Sequence, residues 1–192
     1  AAGAVDIMSH LMEQYFTEQS TFLADQMLTG AMRTVIRYAP IAVREPDNYE
    51  ARSELMWLSS LACNGILSTG CQYSGWSCHG IEHELSAFYD VTHGVGLAIV
   101  TPRWMRHILN EQTVSRFAKF GIDVWGLDAA QDERTIAEKA IAETEAFFTS
   151  LGVPMTLTEL GIGTEHFEEM AEHAVEANWL SYAYVPLKKE DV

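Results

Sequence analysis

The chain has 192 residues, 48% of them hydrophobic, and a formal net charge of −15. That length and apolar content suffice for one domain with a real core. The charge excludes the basic footprint that nucleic-acid binding needs, and it argues against anionic membrane surfaces.

In chain order, helical periodicity dominates. A first helix is expected over residues 6–17, with Tyr15 and Phe16 near its end. A second spans 21–38, where Leu23, Met27, Ala31, Val35 and Tyr38 recur at helical spacing and Pro40 closes the run. Asp47 and Glu50 have the spacing of a capping box for a third helix over 48–67. This helix is apolar on most sides (Leu55, Met56, Trp57, Leu58, Leu61, Ile66), the signature of a central, buried element. Gly70 and Gly75 mark a turn. A fourth helix covers 76–89, and a fifth covers 94–109, with Pro102 expected to end or kink it. A sixth runs over 112–123 and a seventh over 132–151, begun by the charged Asp132-Glu133-Arg134 and stopped by Gly152 and Pro154. An eighth covers 165–177, with Thr164 as its N-cap. No segment alternates as a strand would, so the expected fold class is all-α, a multi-helix bundle.

Cys63, Cys71 and Cys78 are odd in number and not at zinc-ribbon spacing, which fits packing residues in a reducing cytoplasm. No stretch reaches the ~18–20 apolar residues of a membrane span, and no basic-then-apolar leader opens the chain. The chain starts at Ala1 without Met, as an excised piece would.

Four residues carry the chemistry. Asp6 and His10 are spaced D-x-x-x-H, so both leave one face of a helix. His79 and His93 flank His83 within fifteen residues. One carboxylate and three imidazoles suit a divalent transition metal. Two of them also have a plainer reading: Asp6 as a helix cap, His10 as a satisfied interface histidine. The string His79-Gly80-Ile81-Glu82-His83 is not H-E-x-x-H, because Gly80 stands where the zinc-protease base belongs. His107, His166 and His173 fall in polar helical surroundings and read as surface or half-buried.

The stretch from Met56 to Thr101, together with the opening GAVDIMSHLMEQYF and Gly152-Val153-Pro154, resembles the C-terminal helical domain of the iron-containing (group III) alcohol dehydrogenases, nearest its butanol dehydrogenase and aldehyde reductase branch. The resemblance covers essentially the whole chain. It implies a dehydroquinate synthase-like helical bundle over residues 1–192 in which Asp6, His10, His79 and His93 match the metal ligands. His83 matches a non-ligand histidine near substrate and nicotinamide, placed for proton relay. Asn64-Gly65 matches small residues near the cofactor cleft. The metal implied is Fe2+ or Zn2+, acting on a small primary alcohol or aldehyde, with NAD(P)H held by an N-terminal α/β domain that this chain lacks. Alone, the chain is expected to be inactive. Two other readings stay open on the residues themselves: a helical metal-dependent hydrolase, or a non-enzymatic interaction domain with a structural His cluster. A homo-oligomer is expected if apolar surface is left bare.

Overall fold

The computed structural model describes residues 1–73, 75–178 and 180–192. Among these residues there are eight α-helices: α1 (Ala2–Tyr15), α2 (Phe22–Arg44), α3 (Tyr49–Cys63), α4 (Ser77–Tyr89), α5 (His93–Ile108), α6 (Val114–Trp125), α7 (Glu133–Ser150) and α8 (Phe167–Ala177). Among the described residues there is no strand, only an isolated bridge between Ser20 and Cys71. The all-α expectation is met.

The centre of the bundle is α1 packed on α5. Val5, Met8, Leu11, Met12 and Tyr15 of α1 and Leu97, Ala98, Met105 and Ile108 of α5 are fully buried. Each large apolar side chain of this kind contributes about 1.5–3 kcal/mol on leaving water. Around this pair, α2 and α3 lie on α1, α4 and α7 lie on α5, α6 pairs with α7, and α8 covers α4. Helix starts are set by local chemistry. Thr21, Asn48 and Asp132 each accept a backbone N–H from three residues on, at 3.2, 3.1 and 2.9 Å.

Several expectations need correction. The third helix is not central: only Ala51, Leu58 and Ala62 of α3 are buried, while Met56 and Trp57 are two-thirds exposed. Apolar residues around all sides of a helix report its composition, and which side finds a partner depends on where the neighbours lie. The cap of α3 is Asn48, not Asp47, and the helix ends at Cys63 rather than 67. Pro40 does not close α2, which runs on to Arg44 with Ala39 anchored in the core. Pro102 lies inside α5, as its position in the expected helix has it, and does not end the helix, which continues through the buried Trp104, Met105 and Ile108. A proline removes one helical hydrogen bond, and burial of the following turn outweighs that loss. Asp6 lies in the second turn of α1 and caps nothing. The residue preceding α8 is His166, not Thr164, and it makes no side-chain cap.

Candidate metal centre

Asp6 and His10 leave one face of α1, as their spacing requires. His79 stands in the first turn of α4 and His93 opens α5. The link between the last two is short and sharply turned. Asp90 closes α4 in the left-handed region at φ 51°, a conformation an Asp side chain tolerates better than most. The Ser86 hydroxyl sits at the turn, its one proton shared between the Val91 carbonyl at 2.9 Å and the Glu82 carboxylate at 2.7 Å. His93 is thereby folded back beside α4.

The three elements converge on the Asp6 carboxylate. Its Oδ1 lies 3.5 Å from His10 Nε2, 3.6 Å from His79 Nε2 and 3.5 Å from His93 Nε2. Asp6, His79 and His93 offer donor atoms all within 4.8 Å of one another. The rings of His10 and His79 are 4.2 Å apart and those of His79 and His93 5.2 Å. These carboxylate–imidazole spacings are too long for hydrogen bonds. Two ligand atoms on a tetrahedral ion at the usual ~2.1 Å would stand about 3.4 Å apart, close to what is observed. Asp6 Oδ1 and His79 Nε2 are buried and have no hydrogen-bond partner among the described residues. Buried polar atoms without partners are rare, and a cation is the group that would satisfy a carboxylate oxygen and imidazole nitrogens together.

The far sides of two rings are occupied. His79 Nδ1 meets the carboxylate of Glu13, which also accepts the N–H of Cys78 at 2.6 Å and of His79 at 3.2 Å. His93 Nδ1 meets the carboxylate of Glu82, which accepts the Ser86 hydroxyl at 2.7 Å. Both glutamates are buried, Glu82 completely. Gly96 makes room for the second: a Cβ there would come within 2.5 Å of the Glu82 carboxylate. The sequence reading missed both residues. A signal existed for Glu13, which continues the Asp6–His10 face of α1 at the next turn. Glu82 had none beyond its place between two histidines.

Electrostatics follow the crowding. Burial pushes the Asp6 carboxyl up, but contact with His79 and the charges of His10, His93 and His79 outweigh it and hold it below its ordinary value. Burial, then repulsion from His79, lowers His10 to about 4 against the pull of Asp6. Burial alone would lower His79, but contact with Asp6 and Glu13 raises it to about 9.

The donor atoms open onto a cleft of about 780 Å³, lined also by Gln14, Cys63, Tyr73, Trp76, His83 and Asn178. Gln14 donates to the His10 carbonyl at 2.8 Å and to the Ala62 carbonyl at 2.9 Å, tying the end of α3 over α1. Trp76 meets the rings of His10 and His79 edge-on, with centroids 5.3 and 5.2 Å away. His83 is exposed, its ring stacked 5.5 Å from that of His93. Asn64 is exposed, and its Oδ1 accepts the Ile66 N–H at 3.0 Å; its neighbours Cys63 and Gly65 line the cleft. His107, His166 and His173 are all exposed, outside this group, as expected.

Comparison with known proteins points the same way. The family described as "Fe-containing alcohol dehydrogenase family, C-terminal" matches residues 1–192. NADH-dependent butanol dehydrogenase A of Clostridium acetobutylicum is 49% identical over 194 residues, covering 100% of this chain and 50% of that protein. NADPH-dependent aldehyde reductase YqhD of Escherichia coli is 35% identical over 166 residues, covering 84% of this chain and 41% of that protein. The crystal structure of NADH-dependent butanol dehydrogenase A from Thermotoga maritima superposes with a TM-score of 0.90 at 33% identity, covering 99% of this chain and 49% of that one. The chain thus spans about half the length of the relatives it matches.

Proposed function

Because the chain belongs to the Fe-containing alcohol dehydrogenase family, we propose that it is the metal-holding half of an NAD(P)-dependent alcohol dehydrogenase that interconverts primary alcohols and aldehydes. The observation that carries this reading is the convergence of Asp6, His10, His79 and His93, with Asp6 Oδ1 and His79 Nε2 buried and without a hydrogen-bond partner among the described residues. These four residues would hold a divalent cation. Nitrogen and oxygen donors suit Fe2+ and Zn2+ alike, and the family's description favours iron. Bound there, the cation would supply a Lewis acid for the substrate's alcohol or carbonyl oxygen.

The chain's own residues do the rest of this half of the work. Asp6 places a negatively charged oxygen donor among three imidazole nitrogens, the mixed donor set that a divalent cation takes. Glu13 and Glu82 orient two of the rings. Trp76 and Tyr73 give the cleft an apolar wall suited to a short hydrocarbon chain. His83, exposed and stacked on His93, is placed to pass a proton between the cleft and solvent. The nicotinamide reading rests on relatives named for NADH and NADPH dependence. We assign the dinucleotide to a separate α/β unit that would close the cleft, with the α3 end around Asn64 nearest to it. The free thiols fit a cytoplasmic setting, and no helix among the described residues is long and apolar enough to cross a membrane. The exposed Met56 and Trp57 give this chain a face for self-association, which sedimentation would detect.

The test is metal content followed by turnover. The purified chain, stripped and reloaded, should bind one divalent ion, and His79→Ala and His93→Ala should abolish that binding. Butyraldehyde-dependent NAD(P)H oxidation should appear only when a nucleotide-binding domain is supplied. Wild-type metal affinity in both variants, or robust turnover by this chain alone, would overturn the proposal.

A further inference from the structure

The three histidines around Asp6 are not equivalent. His79 and His93 each carry a buried glutamate on Nδ1, and the two glutamates are themselves fixed. Glu13 is held at the start of α4 by the N–H groups of Cys78 and His79. Glu82 is held by the Ser86 hydroxyl, in space that Gly96 leaves open. A carboxylate on Nδ1 holds a proton there and fixes the ring orientation, so that Nε2 is the nitrogen that gives up its proton to a cation beside Asp6. His10 has no such support. Its Nδ1 is buried and has no partner among the described residues. When its Nε2 donates to a cation, the Nδ1 proton stays buried without an acceptor, a cost the other two rings do not carry.

We propose that Glu13 and Glu82 are positioning residues that lock His79 and His93, so that Asp6, His79 and His93 form the strong core of the centre and His10 is its weaker fourth arm. The inference rests on the metal-centre reading above. One rival arrangement exists on the same residues: Glu82, His83 and His93 also offer donor atoms within 4.8 Å of one another, and there Glu82 would be a ligand itself.

The experiment measures Zn2+ affinity of the stripped chain by competition with a chromophoric chelator. In parallel, nitrogen-15 NMR at alkaline pH, where the imidazoles are neutral, reads the histidine tautomers of the metal-free protein. Metal-free thermal unfolding of each variant controls for folding, and glutamine retains a carbonyl acceptor for the N–H groups at the start of α4. Glu13→Gln and Glu82→Gln should each weaken Zn2+ binding about 10–100-fold. Glu13→Gln should change the tautomer balance of His79 alone, and Glu82→Gln that of His93 alone. His10→Ala should lose less affinity than His79→Ala or His93→Ala, and His83→Ala should keep wild-type metal affinity.

Wild-type affinity with unchanged tautomers in both glutamine variants overturns the proposal. So does a His10→Ala loss equal to that of His79→Ala. Loss of binding in His83→Ala to the same degree as in Glu82→Gln places the ion in the rival group and also overturns it. If the wild-type chain binds no stoichiometric Zn2+, the metal-centre reading fails, and the tautomer measurements still decide whether the two glutamates set the rings.

Discussion

Gly94 at the start of α5 lies directly against the carbonyl of Ala2 at the start of α1: a Cβ on residue 94 would stand 2.0 Å from that oxygen. No side chain other than hydrogen fits there without moving a helix. The contact sits one residue from His93 and four from Asp6, so it sets the distance between those two groups. Gly94→Ala should therefore cost about 1–3 kcal/mol as an overpacked contact and should also weaken metal binding. Thermal unfolding with and without Zn2+ reads both effects. A variant that binds metal as the wild type does would show that α5 is not held by this contact.

Metal should stabilise the fold itself. A ligand that binds only the native state, at 100 times its dissociation constant, adds about 2.7 kcal/mol. At about 2–4 °C per kcal/mol for a domain of this size, the melting temperature should rise by roughly 5–10 °C. Chelation should reverse the rise, and Asp6→Ala should abolish it. Calorimetry of loaded and stripped chain provides the check.

The contrast between α5 and α3 is open to mutation. Leu97 of α5 is fully buried, and Leu97→Ala should cost about 2–5 kcal/mol. Trp57 is 66% exposed on α3, and Trp57→Ser should stay within about 0.5 kcal/mol. Urea midpoints at matched m-values separate the two. Equal losses would mean that α3 is buried after all.

Away from the centre, Arg116 of α6 grips Asp25 of α2 with two hydrogen bonds at 2.7 and 2.8 Å and also donates to the Tyr15 carbonyl at 2.6 and 3.0 Å. Burial pushes the Asp25 carboxyl up, but hydrogen bonds from Arg116 and Ser20 and the charges of Arg116 and Lys119 outweigh it and hold it below 3.8. A carboxyl depressed in the folded state contributes stability that is present above its unfolded value and is lost as pH falls through its folded value. Asp25→Asn leaves Arg116 without its charge partner and should cost about 3–5 kcal/mol near neutral pH. The gap between wild type and variant should stay constant down to about pH 5 and narrow below pH 4. Acid-titrated denaturation curves test the sign; a gap that widens in acid would refute it.

Much of the candidate centre was legible because its chemistry is local in part. The D-x-x-x-H spacing of Asp6 and His10 puts both on one helical face whatever else the chain does. The break at Asp90 followed by His93 and Gly94 marks a turn with a ring at its exit. Those local signals do not say that α1 meets α4 and α5, and resemblance to a family supplied that step. Glu13 and Glu82 stayed hidden because a glutamate in a helix reads as solvated unless its neighbours are known. The burial of α3 was misjudged for the same reason: its composition allows a central position, but its neighbours lie on one side only.

The sequence by itself determined the helical class, most helix positions, and a set of nitrogen and oxygen donors fit for a divalent cation. These depend on periodicity and residue chemistry, which act over a few residues. Only the tertiary structure decided that α1 and α5 form the centre, that Asp6 faces three imidazoles at once, and that two buried carboxylates stand behind two of them. Those facts depend on how closely helices distant in sequence approach, and that approach is set by contacts such as Gly94 against Ala2, which no local pattern encodes.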